Sequence, residues 1–125
     1  MKTYIWIGIA GALGALLRTG IGVLIPHETG FPIATFSVNM IGTFLLCFLV
    51  TGVVRKISAA THFQDAITTG FLGSFTTFSA LSMETVLLIE NGELVMGALY
   101  IILSIIGGLA VGLLGFHFGQ KKVAE

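Results

Sequence analysis

GFLGSFTTFSALSME, residues 70–84, is the stretch on which the architecture of this chain turns. It follows an uncharged, largely apolar approach from Ala66, yet it packs Ser74, Thr76, Thr77, Ser79, Ser82 and Glu84 into about three helical turns. An isolated Ser or Thr in a membrane helix usually bonds back to a carbonyl one turn earlier. Six polar residues crowded beside Gly73 are a different matter, because glycine and competing hydroxyls weaken the helix where it should be strongest. A break in the helix is therefore expected here. Unwound backbone at membrane depth is tolerated only where its freed groups are buried in protein or line a watery cavity. Such a break offers carbonyl oxygens to a cation, and N–H groups or hydroxyls to an anion. Ion handling is the first physical hypothesis.

The remainder of the chain supports a membrane setting. Of 125 residues 55% are hydrophobic and 10% charged, with 6 acids and 6 bases; a soluble domain carries about a quarter of its residues as charges. Zero net charge and only two basic pairs, Arg55-Lys56 and Lys121-Lys122, argue against a nucleic-acid partner. Cys47 stands alone in an apolar run and reads as a small hydrophobe, and His27, His62 and His117 have no second ligand at metal spacing. No nucleophile, base and orienter set is present, so the chain does not read as an enzyme.

The sparse charges divide the chain. Uncharged stretches at 29–54 and 94–120 exceed the roughly 20 residues that cross a bilayer. Shorter runs at 3–17 and 66–83 extend through the single charges Arg18 and Glu84. One domain of four transmembrane helices results, near 3–25, 33–54, 64–89 and 94–118. Pro26, Gly30 and Pro32 mark the first loop, Thr61 and Gln64 have capping-box spacing before the third span, and Asn91-Gly92 makes a tight turn. Met1-Lys2 and Ala10-Gly11-Ala12 resemble a secretory leader, but the apolar pattern runs on past Arg18 with no soluble domain to deliver.

With four crossings, both termini share a face with the second loop. That face collects Lys2, Arg55, Lys56, Lys121 and Lys122, whereas the first and third loops have no Lys or Arg. Five against zero predicts cytoplasmic termini. Within the spans, Thr35, Asn39 and Thr43 recur every four residues, as do Tyr100, Ser104 and Gly108, so each set lies along one helix face. Phe71, Phe75 and Phe78 form a stripe in the third span that reads first as packing, although ring edges carry partial positive charge that could meet a small anion. Glycines at 8, 11 and 14, and at 108, 112 and 115, permit close helix approach. Four short helices enclose little polar pathway alone, so oligomerisation is expected.

GFLGSFTTFSALSME resembles the signature of the Fluc (CrcB) fluoride channels. GALGALLR, residues 11–18, and TFSVNMIG, residues 35–42, resemble that family's first- and second-span motifs, and Tyr100 and Ser104 match positions in the fourth. The resemblance implies an antiparallel dimer of four-helix subunits in a bacterial plasma membrane. Two fluoride pores would lie at the subunit interface, with a structural sodium ion at the centre held by the main-chain carbonyls of Gly73 and Thr76. It implies further that Asn39 lines the pore, that Phe78 supplies a ring that fluoride passes, and that Thr35, Ser79, Glu84, Tyr100 and Ser104 form a polar track. Arg18 matches the motif arginine, fixing the pore vestibule or the fold.

Two departures stand out. The family's usual TTFSTFS reads TTFSALS here, so Leu81, at the pore, replaces a phenylalanine and Ala80 a hydroxyl residue. Gly108 stands where the fourth-span track often has a serine. An antiparallel homodimer also needs one sequence to insert both ways, which the five-to-zero bias opposes. The expectation is therefore a pair with a paralogue of opposite bias, a homodimer being the alternative. Rival readings are a small proton-coupled multidrug exporter, which needs an acid deep in the first span where this chain has none, and a non-conducting assembly subunit.

Overall fold

A computed structural model describes residues 2–25, 30–53 and 61–124. Arg55 and Lys56, two of the five bases in the charge asymmetry, and Pro26, His27 and Glu28 of the first loop lie outside those residues. Among the described residues there is no strand, and four helical stretches are long and apolar enough to cross a membrane.

Helix α1 is Lys2–Leu24, and α2 is Ile33–Phe48 with a widened π-helical continuation Leu49–Val53. The third span is divided. Its first half, α3, covers 61–75 and consists of Thr61–Asp65, a π-helical stretch Ala66–Leu72 and the turn Gly73–Phe75. Its second half is α4, Phe78–Glu90. The last helix, α5, is Leu94–Ala124. Gly92, at φ +83°, ends α4. The Gly92 N–H donates to the Ile89 carbonyl at 3.0 Å and the Glu93 N–H to the Leu88 carbonyl at 2.8 Å, so two orphan carbonyls are satisfied before α5 starts.

The packing divides into two helix pairs, α1 against α3 and α2 against α5. Each rests on glycine. In the first pair, a Cβ on Gly14 would collide with the Phe71 carbonyl, and one on Gly70 would lie 2.6 Å from the Ile7 carbonyl. In the second, a Cβ on Gly115 would lie 2.6 Å from the Phe44 carbonyl and one on Gly52 2.8 Å from that of Gly119. With lipid as solvent there is little hydrophobic gain in helix association, so close backbone approach and dispersion carry it. The expected glycine contacts hold at Gly11, Gly14, Gly112 and Gly115; Gly8 meets nothing within 4 Å inside this chain and Gly108 only the end of Met40. Gly42 closes the centre, because a Cβ there would run into Thr76 and the Phe75 ring.

The aromatic stripe does not survive as one face. Phe71 and Phe75 stack at 6.0 Å with Phe75 buried, but the chain turns between Phe75 and Phe78, and Phe78 is 79% exposed on the far side. Helical periodicity ceases to apply once the helix is interrupted.

Gly14→Ala is expected to force α1 from the Phe71 carbonyl and destabilise the protein by about 1–3 kcal/mol, whereas Gly20→Ala, with nothing within 4 Å, should leave the melting temperature in detergent unchanged or slightly raised. Equal melting temperatures for the two variants would contradict this packing.

Candidate functional site

The break falls at Thr76 and Thr77, whose backbones are extended at φ −77°, ψ 154° and φ −150°, ψ 127°. Extended residues inside a membrane span leave polar groups without helical partners, and the structure shows where each goes. The Thr77 N–H, which would otherwise return to the Gly73 carbonyl, donates to Asn39 Oδ1 at 2.8 Å. Asn39 Nδ2 donates in turn to the Thr77 carbonyl at 2.9 Å. One side-chain amide thus satisfies both polar groups of the same residue. The orientation of the amide follows from this pairing, since only its oxygen can accept from an N–H. Thr77 Oγ1 caps α4 by accepting from the Ala80 N–H at 3.2 Å, which diverts that donor from the Thr76 carbonyl.

Two carbonyls are released by these diversions, those of Gly73 and Thr76, the pair that the motif resemblance assigns to a sodium ion. The neighbouring Ser74 carbonyl accepts from Arg18 Nε at 3.2 Å. A guanidinium on the last turn of α3 complements the negative end of that helix, so Arg18 ties α1 to the break. Opposite it, the first turn of α4 presents N–H groups with the positive end of its dipole. A carbonyl-rich end and an amide-rich end therefore face one another across two residues, a place where cations and anions each find partners.

Beside the break lies an open groove of about 500 Å³, with α2, α4 and α5 supplying its walls. Asn39, Gly73, Thr76, Phe78, Leu81 and Ser104, all singled out in the sequence, line it. Ser104 Oγ is buried without a hydrogen-bond partner. Thr35, Glu84 and Tyr100 form a separate network toward the start of α2. Glu84 Oε1 accepts from Thr35 Oγ1 at 2.7 Å, and Oε2 accepts from the Tyr100 hydroxyl at 2.6 Å. Tyr100 is fully buried, its ring edge-on to Phe31 at 5.2 Å. Ser79 is exposed at the α4 N-terminus, its hydroxyl 3.1 Å from that of Thr77.

Two hydroxyls of the motif bond back along their own helices, Thr76 to the Leu72 carbonyl and Ser82 to that of Phe78 at 2.9 Å each, and so does Thr85 just beyond it, to Leu81 at 2.7 Å. The role that sequence reasoning missed is that of Thr77: its residue type marks a possible cap, but its position as the joint of the third span depends on Asn39, 38 residues earlier.

Fold and site together define a small multi-pass membrane protein whose third span is interrupted beside a polar groove. The chain belongs to the CrcB family: the family model described as CrcB-like protein, Camphor Resistance (CrcB), matches residues 5–116. It is 41% identical to the fluoride-specific ion channel FluC 2 of Geobacillus kaustophilus, over 98% of this chain and 96% of that one. It is 44% identical to FluC 1 of Desulfitobacterium hafniense, over 86% and 95%, and 45% identical to FluC 1 of Bacillus anthracis, over 94% and 87%.

Asn39→Ala leaves the Thr77 N–H unpaired, a cost of about 1–3 kcal/mol if it stays dry, so hydrogen exchange at the Thr77 amide should accelerate by at least about tenfold. Asn39→Asp, which keeps the acceptor and loses the donor, should fall between. Unchanged exchange at Thr77 in Asn39→Ala would show that the break is held by something else.

Proposed function

We propose that this protein is a subunit of a fluoride-selective channel through which fluoride leaves the cell passively, lowering its toxicity. The observation that carries the reading is the interrupted third span clamped by Asn39 beside a groove lined by Phe78 and Ser104, in a chain that matches fluoride-specific channels over nearly its whole length. Fluoride is small and strongly hydrated, so a pathway must exchange its water for fixed donors. The groove has such donors in the second N–H of the Asn39 amide and the Ser104 hydroxyl. The Phe78 ring edge adds a weak positive potential with no full charge that would hold the ion in place.

Assembly follows from the location of the groove. Irregular backbone and exposed polar groups do not face lipid, yet Gly73, Phe78 and Ser79 are exposed on this single chain. A second subunit covers them, in the antiparallel arrangement that the family resemblance implies. The freed Gly73 and Thr76 carbonyls lie at that covered face, and a matching pair from the second subunit brings the number of oxygens to four. Neutral carbonyls without competing donors suit a hard monovalent cation such as sodium, which would neutralise the clustered oxygens and hold the two breaks together.

The charge distribution bears on the second subunit. A chain with five Lys or Arg on one face and none on the other inserts one way, with both termini in the cytoplasm of a bacterial plasma membrane. Its antiparallel partner is then a paralogue of opposite bias, and the numerals 1 and 2 in the relatives' names fit a two-subunit system.

Purified alone and reconstituted in liposomes, the chain is expected to release fluoride poorly, and co-reconstitution with a paralogue of opposite bias should raise efflux by at least about tenfold. Robust efflux from the single chain would replace the heterodimer with a homodimer, and no efflux in any pairing would leave a non-conducting subunit. In the conducting assembly, Phe78→Ile should lower fluoride flux strongly; unchanged flux would remove Phe78 from the pathway.

A further inference from the structure

The groove has a donor that neither the motif resemblance nor the hydrogen-bond network accounts for. Thr43 lies one turn beyond Asn39 on α2 and contributes to the same groove. Six other hydroxyls of the spans return to carbonyls on their own helices: those of Thr19, Thr51, Thr68, Thr76, Ser82 and Thr85. The Thr43 hydroxyl does not, and among the described residues it has no partner at all. A membrane hydroxyl that declines the bond nearest to it is costly unless something polar meets it.

Its position explains what that is. Helices α2 and α5 run side by side, with Gly107 against Met40 and Phe36, and Gly112 against Thr43. On α5 the hydroxyl line runs from Tyr100, which is bonded to Glu84, to Ser104 and then stops, because Gly108 has no side chain. Thr43 stands across the groove, about one turn beyond Gly108 toward the C-terminal end of α5. The Thr76 hydroxyl is committed to Leu72 and that of Thr77 to the α4 cap. The groove's open donors are therefore the spare N–H of Asn39 and the hydroxyls of Ser104 and Thr43, in a sequence of steps that continues past the gap at Gly108.

We propose that Thr43 is a fluoride-contacting residue of this groove, supplying from α2 the hydroxyl that α5 lacks at Gly108. The proposal rests on the channel reading above. The ion passing Ser104 and Asn39 meets the Thr43 O–H next, and the threonine methyl, 3.5 Å from where a Cβ on Gly112 would sit, packs against α5 while the hydroxyl serves the groove.

The test measures fluoride efflux with an electrode from liposomes that contain the conducting assembly and are loaded with potassium fluoride. Thr43→Val, which keeps the shape and removes the hydroxyl, should lower efflux about tenfold, the scale of one lost hydrogen bond to a charged partner. Thr43→Ser should remain near wild type. Gly108→Ser in the Thr43→Val background should recover part of the loss, because a Cβ at Gly108 meets only the end of Met40 at 3.9 Å, and this second site restores a hydroxyl without restoring the threonine packing. Thr43→Ala provides the same comparison if the valine variant does not assemble. Wild-type efflux from an assembled Thr43→Val or Thr43→Ala variant overturns the proposal, as does a Thr43→Ser variant as impaired as valine. A wild-type assembly that releases no fluoride overturns the channel reading instead.

Discussion

The two hydrogen bonds between the Asn39 amide and the backbone of Thr77 are the constraint on which the rest of the structure depends. A span interrupted in its middle must satisfy its N–H and C=O groups without water, and a primary amide offers an acceptor and a donor on separate atoms of one planar group. By taking the Thr77 N–H, Asn39 keeps α3 from continuing. By donating to the Thr77 carbonyl, it adds a second bond to the group from which α4 begins. Helix α2 thus acts as a template for an irregular turn that belongs to another span.

Much follows from that clamp. The Gly73 and Thr76 carbonyls lose their helical donors because those donors have been directed elsewhere. The end of α3 acquires a need for positive charge, which Arg18 meets from α1 through the Ser74 carbonyl. Phe78 comes out on the exposed side of the break, while Phe71 and Phe75 remain stacked on the other. The backbone must approach Gly42 closely for the arrangement to close, and the Cβ of any other residue would meet Thr76 and Phe75. The polar residues of the motif therefore have divided duties: some hold the break, some line the groove, and Thr35, Glu84 and Tyr100 tie the start of α2 to α4 and α5.

Much of this was legible beforehand. Helix number was read from the scarcity of charge, because no apolar stretch of that length can be left in water. The interruption was read from Gly73 and the crowded hydroxyls, and of the residues spaced by four along α2, Thr35 and Asn39 meet polar partners while Thr43 lines the groove. Spacing failed at Phe78, where a periodic stripe was drawn through a break that had itself been expected. It also failed to separate hydroxyls that bond back to their own helix, such as Thr85, from those left open, such as Ser104, since composition is the same in both cases.

What the sequence by itself determined is the solvent, the four spans, the weak point in the third and the family, each of which depends on local composition or on motifs read along the chain. What only the tertiary structure decided is the partner of each polar group: that Asn39 meets Thr77, that Arg18 meets Ser74, and that Glu84 is bonded by Thr35 and Tyr100 from two different helices. The reason is physical. A hydrogen bond is fixed to a few tenths of an ångström and by direction, and groups tens of residues apart reach that geometry only after glycine contacts have set the distances between helices.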